Sequence, residues 1–162
     1  MLVSTDNNGA TDKSAMWSRT ISETYFPLSV QCHDPQTFNG ALKSWGLGIL
    51  GLSEMHCDAV MYRRHKRHFA AEKDSCLLIT IPHAGDVLFE QASRETRCAP
   101  GGFLVEQGDM AYEFSHAQRN KLWVLKVPTA VAAGHTGEPA AMGAVRHAGP
   151  VPRRRGDPVV LR

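Results

Sequence analysis

The sequence predicts an all-β domain closed as a barrel or sandwich. Three observations carry that expectation: about ten short β-prone runs crowd into residues 26–127, several of them alternate apolar and polar residues at period two, and turn chemistry separates them. A chain of 162 residues with 43% hydrophobic content has room for one ordinary domain with a core and little room for a second.

Taken in order, residues 1–16 are polar and contain Asn7-Asn8-Gly9, which predicts a flexible leader passing into a short helix across 16–24. The expected strands follow at 28–33, 38–45, 48–57, 59–64, 76–83, 87–91, 95–98, 103–107, 111–114 and 122–127. In Val87-Leu88-Phe89-Glu90-Gln91 and Ala111-Tyr112-Glu113-Phe114 the alternation sends one face inward and one toward water. The run Cys76 to Ile81 is almost continuously apolar, which suits a strand covered on both faces.

Ala92-Ser93 separates two of these runs by two residues, the spacing of a tight hairpin, although such turns prefer Asn or Gly at positive φ. At Ala99-Pro100-Gly101-Gly102 the proline fixes φ and the glycines permit a positive value, so a firm turn is expected. Residues 65–75 form the longest polar interruption, headed by His65, Lys66, Arg67 and His68, and read as an exposed loop. After Pro128 no Phe, Trp or Tyr occurs and Ala, Gly, Pro and Arg dominate; that composition buries too little apolar surface to offset its ordering entropy, so most of 129–162 is expected to be disordered or weakly helical.

Charge divides along the same line. Residues from Thr129 onward carry five arginines against two acids, which leaves residues 1–128 at −1 within a total of +2. A nearly neutral body lacks the clustered cations that release counterions from nucleic-acid phosphates, so the folded part is not expected to read DNA. Arg153-Arg154-Arg155, among prolines, reads as a solvated tail. No run approaches about 20 uninterrupted apolar residues and the start has no signal-peptide pattern, so a cytoplasmic, soluble protein without a membrane partner is expected. Cys32, Cys57, Cys76 and Cys98 stand too far apart for a paired zinc-ligand pattern and read as reduced, buried or half-buried strand thiols.

The order of these pieces resembles the N-terminal ligand-binding domain of AraC/XylS-family transcriptional regulators over residues 17–131. The resemblance is cumulative: it rests on Tyr25-Phe26-Pro27-Leu28 at the opening, the strand 46–55, the strand and basic loop 60–68, the segment 76–95, the turn and hairpin 98–114, and the closing strand 121–131. It implies a cupin-like double-stranded β-helix barrel of jelly-roll type holding a small-molecule effector, with residues 1–16 as leader and 132–162 as tail. It further implies a homodimer, or a heterodimer with a full-length relative, and a helix-turn-helix domain beyond the barrel for which this chain has no room. Ala92-Ser93 stands where the family commonly has Asp-Gly, and Gly101-Gly102 where it has Gly-Asp. The dimerisation helices are not legible after Val131, which suggests a truncated or frame-altered reading of a longer gene.

A cupin-like barrel raises the alternative of a metal enzyme, whose paired histidines one residue apart would point inward together. Here Asp58, not a histidine, stands two positions after His56, and His65 and His68 sit among Arg64, Lys66 and Arg67, whose charge opposes a cation, so no metal, cofactor or catalytic residue is assigned. His83 and Glu90 flank a turn and read as a surface ion pair rather than an acid and base, since no nucleophile or oxyanion hole accompanies them. Gly46, Gly48 and Gly51 read as strand glycines at a bend, not a phosphate loop. A barrel used only for protein association is the remaining alternative.

An effector pocket needs apolar and aromatic walls with a few aimed polar groups. By residue type the candidates are Trp45, Met55, Met61, Tyr62 and Phe89, with Arg63 as an anchor for an anionic effector. Ordinary core burial explains the apolar five without a ligand, and a surface charge explains Arg63.

Overall fold

A computed structural model describes residues 1–6, 12–72 and 75–136. The elements run β1 (Leu2–Ser4), α1 (Lys13–Thr24), β2 (Ser29–Cys32), β3 (Gly40–Leu47), β4 (Leu50–Cys57), β5 (Val60–Arg64), α2 (Lys66–Phe69), β6 (Cys76–Pro82), β7 (Val87–Gln91), β8 (Arg94–Cys98), β9 (Leu104–Gln107), β10 (Tyr112–His116), β11 (Asn120–Pro128) and α3 (Thr129–Thr136). All ten expected strands are present, within a few residues of their expected ends.

The strands form two antiparallel sheets. One has the order β1-β3-β4-β11-β6-β9 and the other β2-β5-β10-β7-β8, so the chain crosses repeatedly from sheet to sheet, as a jelly-roll barrel requires. Alternation sets the interior. In β5 the pattern buries Val60, Tyr62 and Arg64 and leaves Met61 and Arg63 half-exposed; in β10 it buries Tyr112, Phe114 and His116. The fit of Phe114 opposite Tyr62 and Phe89 across the β5-β10-β7 ladder puts three rings on one inner face.

The N-terminus departs from the expected leader. Residues 2–4 pair with β3 and add an edge strand, because Leu2, Val3 and Ser4 supply the ladder with donors and acceptors regardless of side-chain polarity. Helix α1 starts at Lys13, three residues earlier than expected, because the Asp12 side chain accepts from Ala15 N at 2.8 Å and satisfies an orphan donor of the first turn. Trp17, Thr20 and Ile21, at i, i+3 and i+4, form the buried stripe, and Phe26-Pro27 stops the helix. Trp17 is fully buried and meets Phe38 at a ring separation of 5.6 Å; burying a side chain of this size stabilises by roughly 1.5–3 kcal/mol. Gly40 is what admits it: a Cβ there would lie 2.7 Å from the indole and 2.9 Å from Phe38.

Strand β6 is covered on both faces only in part. Leu77, Leu78 and Thr80 are buried, whereas Ile81 is 43% exposed, because α3 packs on the outer face of β6 and β11 near one end only. The Ala92-Ser93 hairpin has φ of 53° and 59°, the double positive value of a type I′ turn. Within the expected tail, residues 129–136 are helical; the rest of it lies outside the described residues. No helix among the described residues is long and apolar enough to cross a membrane.

Candidate functional site

Among the described residues, the inner faces leave a small, partly open space between the sheets. It measures about 30 Å³, room for roughly two waters, and its wall takes Met55 from β4, Tyr62 from β5, Leu78 and Thr80 from β6, Glu106 from β9, Tyr112 and Phe114 from β10, and Leu122 and Val124 from β11. Ile21, Tyr25 and Leu28, from α1 and the segment after it, close one end. Period two explains the membership: Leu78 and Thr80, Tyr112 and Phe114, and Leu122 and Val124 are each two residues apart.

Three polar arrangements sit in this wall. Glu106 is 4% exposed, and the Thr80 hydroxyl donates to its Oε1 at 2.5 Å. Burial pushes the Glu106 carboxyl up to about 7, against hydrogen bonding from Thr80 and Tyr112 that favours its ionised form. The Tyr25 hydroxyl shares a hydrogen bond with the Ser53 hydroxyl, which also donates to the Val124 carbonyl. Burial drives the phenols of Tyr25, Tyr62 and Tyr112 far above their usual range, so all three stay neutral.

The third arrangement is a chain of donors. Trp17 Nε1 donates to the Tyr62 hydroxyl at 3.0 Å, and that hydroxyl contacts the sulfurs of Met55 at 3.6 Å and Cys57 at 3.7 Å. His116 Nδ1 lies 2.7 Å from the Gln118 carbonyl, which can only accept; the ring therefore carries its proton on Nδ1 and offers Nε2 as acceptor to the Cys57 thiol at 3.5 Å. A thiol beside an imidazole is the pairing used in nucleophilic catalysis. Here burial pushes the Cys57 thiol up to about 12 and lowers the His116 pKa, and Cys57 is fully buried, so the pair is a neutral packing contact without a thiolate.

Of the six pocket candidates, the structure brings Met55 and Tyr62 together at the cavity. Phe89 is buried in the core against Tyr112, at a ring separation of 5.6 Å, without reaching the cavity wall. Trp45, Met61 and Arg63 point away from the interior. Trp45 is 36% exposed on the outer sheet face, stacked on Trp123 at 5.9 Å with Lys43 over its ring. Arg63 pairs outside with Glu113 at 2.7 Å and with Gln31, which fits the surface-charge reading. The physical reason is the pleat: Met61, Tyr62 and Arg63 are consecutive, so one face cannot hold all three.

The residues missed by sequence reasoning are Tyr25, Thr80, Glu106 and Tyr112. The available signal for Glu106 was its position two after Leu104, which shares its face, but Val105 is equally buried and masks the alternation. Glu90 lies in register with Glu95 and Glu113, not with His83. Among the described residues, no group of three or more His, Cys, Asp or Glu side chains is placed to hold a metal ion.

At one mouth of the barrel Arg64 is 1% exposed. Its guanidinium donates to the carbonyls of Pro27 and Gly108 and to Glu72, and it lies 4.1 Å from the Phe26 ring centre. All of its charge is thus spent on holding the α1–β2 segment and the β9–β10 turn to β5.

The sequence profile of the AraC-binding-like domain matches residues 17–157. An uncharacterized protein of the nit 5′ region of Bacillus sp. (strain OxB-1) is 22% identical over 117 residues, covering 72% of this chain and 45% of its own length. The crystal structure of the AraC-like transcriptional activator CuxR superposes with a TM-score of 0.73 at 17% identity, covering 85% of this chain and 50% of that one. A cupin-superfamily protein from Desulfitobacterium hafniense DCB-2 aligns at a TM-score of 0.44 and 8% identity, over 60% of this chain and 82% of its own. The chain thus spans about half the length of the curated relative and of the activator.

Proposed function

This chain belongs to the AraC-binding-like domain family, and from that premise we propose that it is the noncatalytic effector-sensing and dimerisation domain of a bacterial AraC-type transcriptional regulator. The observation that carries the reading is the interior cavity: aromatic and aliphatic walls around one buried carboxyl, reached by side chains from both sheets and from α1. A ligand there touches every layer of the fold at once. Binding energy that differs between two arrangements of α1 against the barrel then shifts their populations, which is the physical content of sensing.

The site's chemistry supports sensing over catalysis. The thiol and imidazole in the interior are neutral and spent on each other, and the one acid in the cavity wall has no partner base there. A body of residues 1–128 near neutral charge supports a division of labour in which the barrel pairs with a second copy or a longer relative and does not itself read DNA.

Thermal denaturation against a panel of small cations, neutral molecules and anions tests this. A cavity ligand at a hundredfold its Kd adds about 2.7 kcal/mol of stability. The gain is expected to vanish in Leu78→Phe, which fills the cavity. Silence across the whole panel, or a gain that Leu78→Phe leaves intact, refutes the assignment of the cavity as the sensing site; near-stoichiometric side-chain-bound metal in the purified protein would favour a cupin enzyme instead.

A further inference from the structure

Glu106 is an uncompensated acid. It is the one charged side chain in the cavity wall, and no Lys, Arg or His lines that space with it. The groups that face it are Thr80 from β6, Tyr112 from β10 and, more remotely, Tyr25 from the segment after α1, none of them cationic. Arg64, the one fully buried cation among the described residues, is committed to Pro27, Gly108 and Glu72. Holding an ionised carboxyl in such surroundings costs several kcal/mol that an apolar residue of similar size would not. A cation brought in from outside recovers that cost.

We propose that the barrel interior recognises a compact organic cation, a primary amine entering as its ammonium, with Glu106 as counter-charge and the rings of Tyr25, Tyr62, Tyr112 and Phe114 as walls. This rests on the reading of the cavity as the effector site. The surroundings discriminate among ligand classes. An anion meets the charge of Glu106. A polyhydroxylated neutral molecule needs many partners, yet the Tyr62 hydroxyl already accepts from Trp17 and the Tyr25 hydroxyl is bonded to Ser53. An ammonium brings three donors to a carboxylate with only Thr80 and Tyr112 on it, and aromatic rings within about 6 Å attract it through their quadrupoles. A volume of about 30 Å³ fits a head group of two or three heavy atoms, the size of methylamine or ethylamine.

Calorimetric titration of the full chain with ethylamine, acetate and ethanol at pH 8 tests the proposal, with Glu106→Gln as the isosteric variant. The wild type is expected to bind ethylamine and neither of the others, and Glu106→Gln to bind it at least tenfold more weakly, the loss of a charge-assisted contact. Because Glu106 must give up its proton to receive the cation, wild-type affinity is expected to fall about tenfold from pH 8 to pH 6, with proton release visible as a heat that varies with the buffer. That pH profile tests the proposal even if the variant does not fold. Equal binding by Glu106→Gln, or a flat profile, overturns the cation. Binding of acetate or ethanol that Leu78→Phe abolishes, with ethylamine inert, also overturns it while leaving the sensing reading standing; silence of every class in the panel overturns both.

Discussion

Trp17 on α1 donates its indole N–H to the Tyr62 hydroxyl on β5 at 3.0 Å, so the helix before the barrel is tied to a residue in the wall of its cavity. The bond is buried and links positions 45 apart in sequence. In Trp17→Phe the donor is lost, while Tyr62 keeps the sulfurs of Met55 and Cys57 as partners, so the expected cost is about 1–2 kcal/mol, the loss of one buried bond and some volume. Trp17→Ala empties a fully buried site and is expected to cost about 3–5 kcal/mol. Urea denaturation measures both, and equal costs would show that the indole N–H bond, not packing, accounts for Trp17.

The Ala92-Ser93 turn is expected to be improvable. Both residues hold positive φ, which a Cβ disfavours by about 1–2 kcal/mol each, and neither side chain is buried to compensate. Replacing the pair by Asn-Gly matches the type I′ geometry between β7 and β8 and is expected to raise the unfolding midpoint, with a gain of about 1 kcal/mol or more. A variant no more stable than wild type would mean that the hairpin conformation is set elsewhere.

The strands were legible because local signals agree there: alternation in 87–91 and 111–114, Pro-Gly-Gly at the β8–β9 turn, and two-residue spacing at Ala92-Ser93. Edge strand β1 was not, because Leu2-Val3-Ser4 is short and its pairing to β3 depends on the chain returning 40 residues later. The site was half legible for a related reason. Residue type identified Met55 and Tyr62, but the inward face of a strand is decided by what covers its other side, and Leu104-Val105-Glu106-Gln107 is buried on both. A lone glutamate in such a strand looks like an outward polar position until the opposite sheet is in place.

Arg64 carries an asymmetric expectation. Arg64→Ala leaves the carbonyls of Pro27 and Gly108 without their donor at a buried mouth and strips the partner from Glu72, so it is expected to destabilise by about 3–5 kcal/mol. Glu72→Gln removes only the one contact whose acid is 28% exposed and able to rehydrate; about 1 kcal/mol or less is expected. Chemical denaturation of the two variants side by side checks the ordering, and a Glu72→Gln loss as large as that of Arg64→Ala would place the stabilisation in the ion pair rather than in the carbonyl contacts.

Two buried groups push stability in opposite directions with pH. Glu106 is raised in the folded state from 4.5 to about 7, so across that window the folded chain holds a proton that the unfolded chain has released, and stability falls as pH rises, by at most about 1.4 kcal/mol per unit. His116 has its pKa lowered in the folded state, chiefly by burial, so below the ordinary histidine value of 6.5 the unfolded chain binds the extra proton and stability falls as pH drops. In the wild type the two slopes oppose each other just below pH 6.5, inside the window over which Glu106 titrates. Glu106→Gln removes one of them: its stability is expected to rise with pH through that interval and to exceed the wild type's at pH 8, where the native barrel holds an ionised carboxyl without a counter-charge. Parallel wild-type and Glu106→Gln profiles from urea titrations at half-unit steps would show that Glu106 ionises with the same ease folded and unfolded, and that the cavity wall carries no buried acid for a ligand to neutralise.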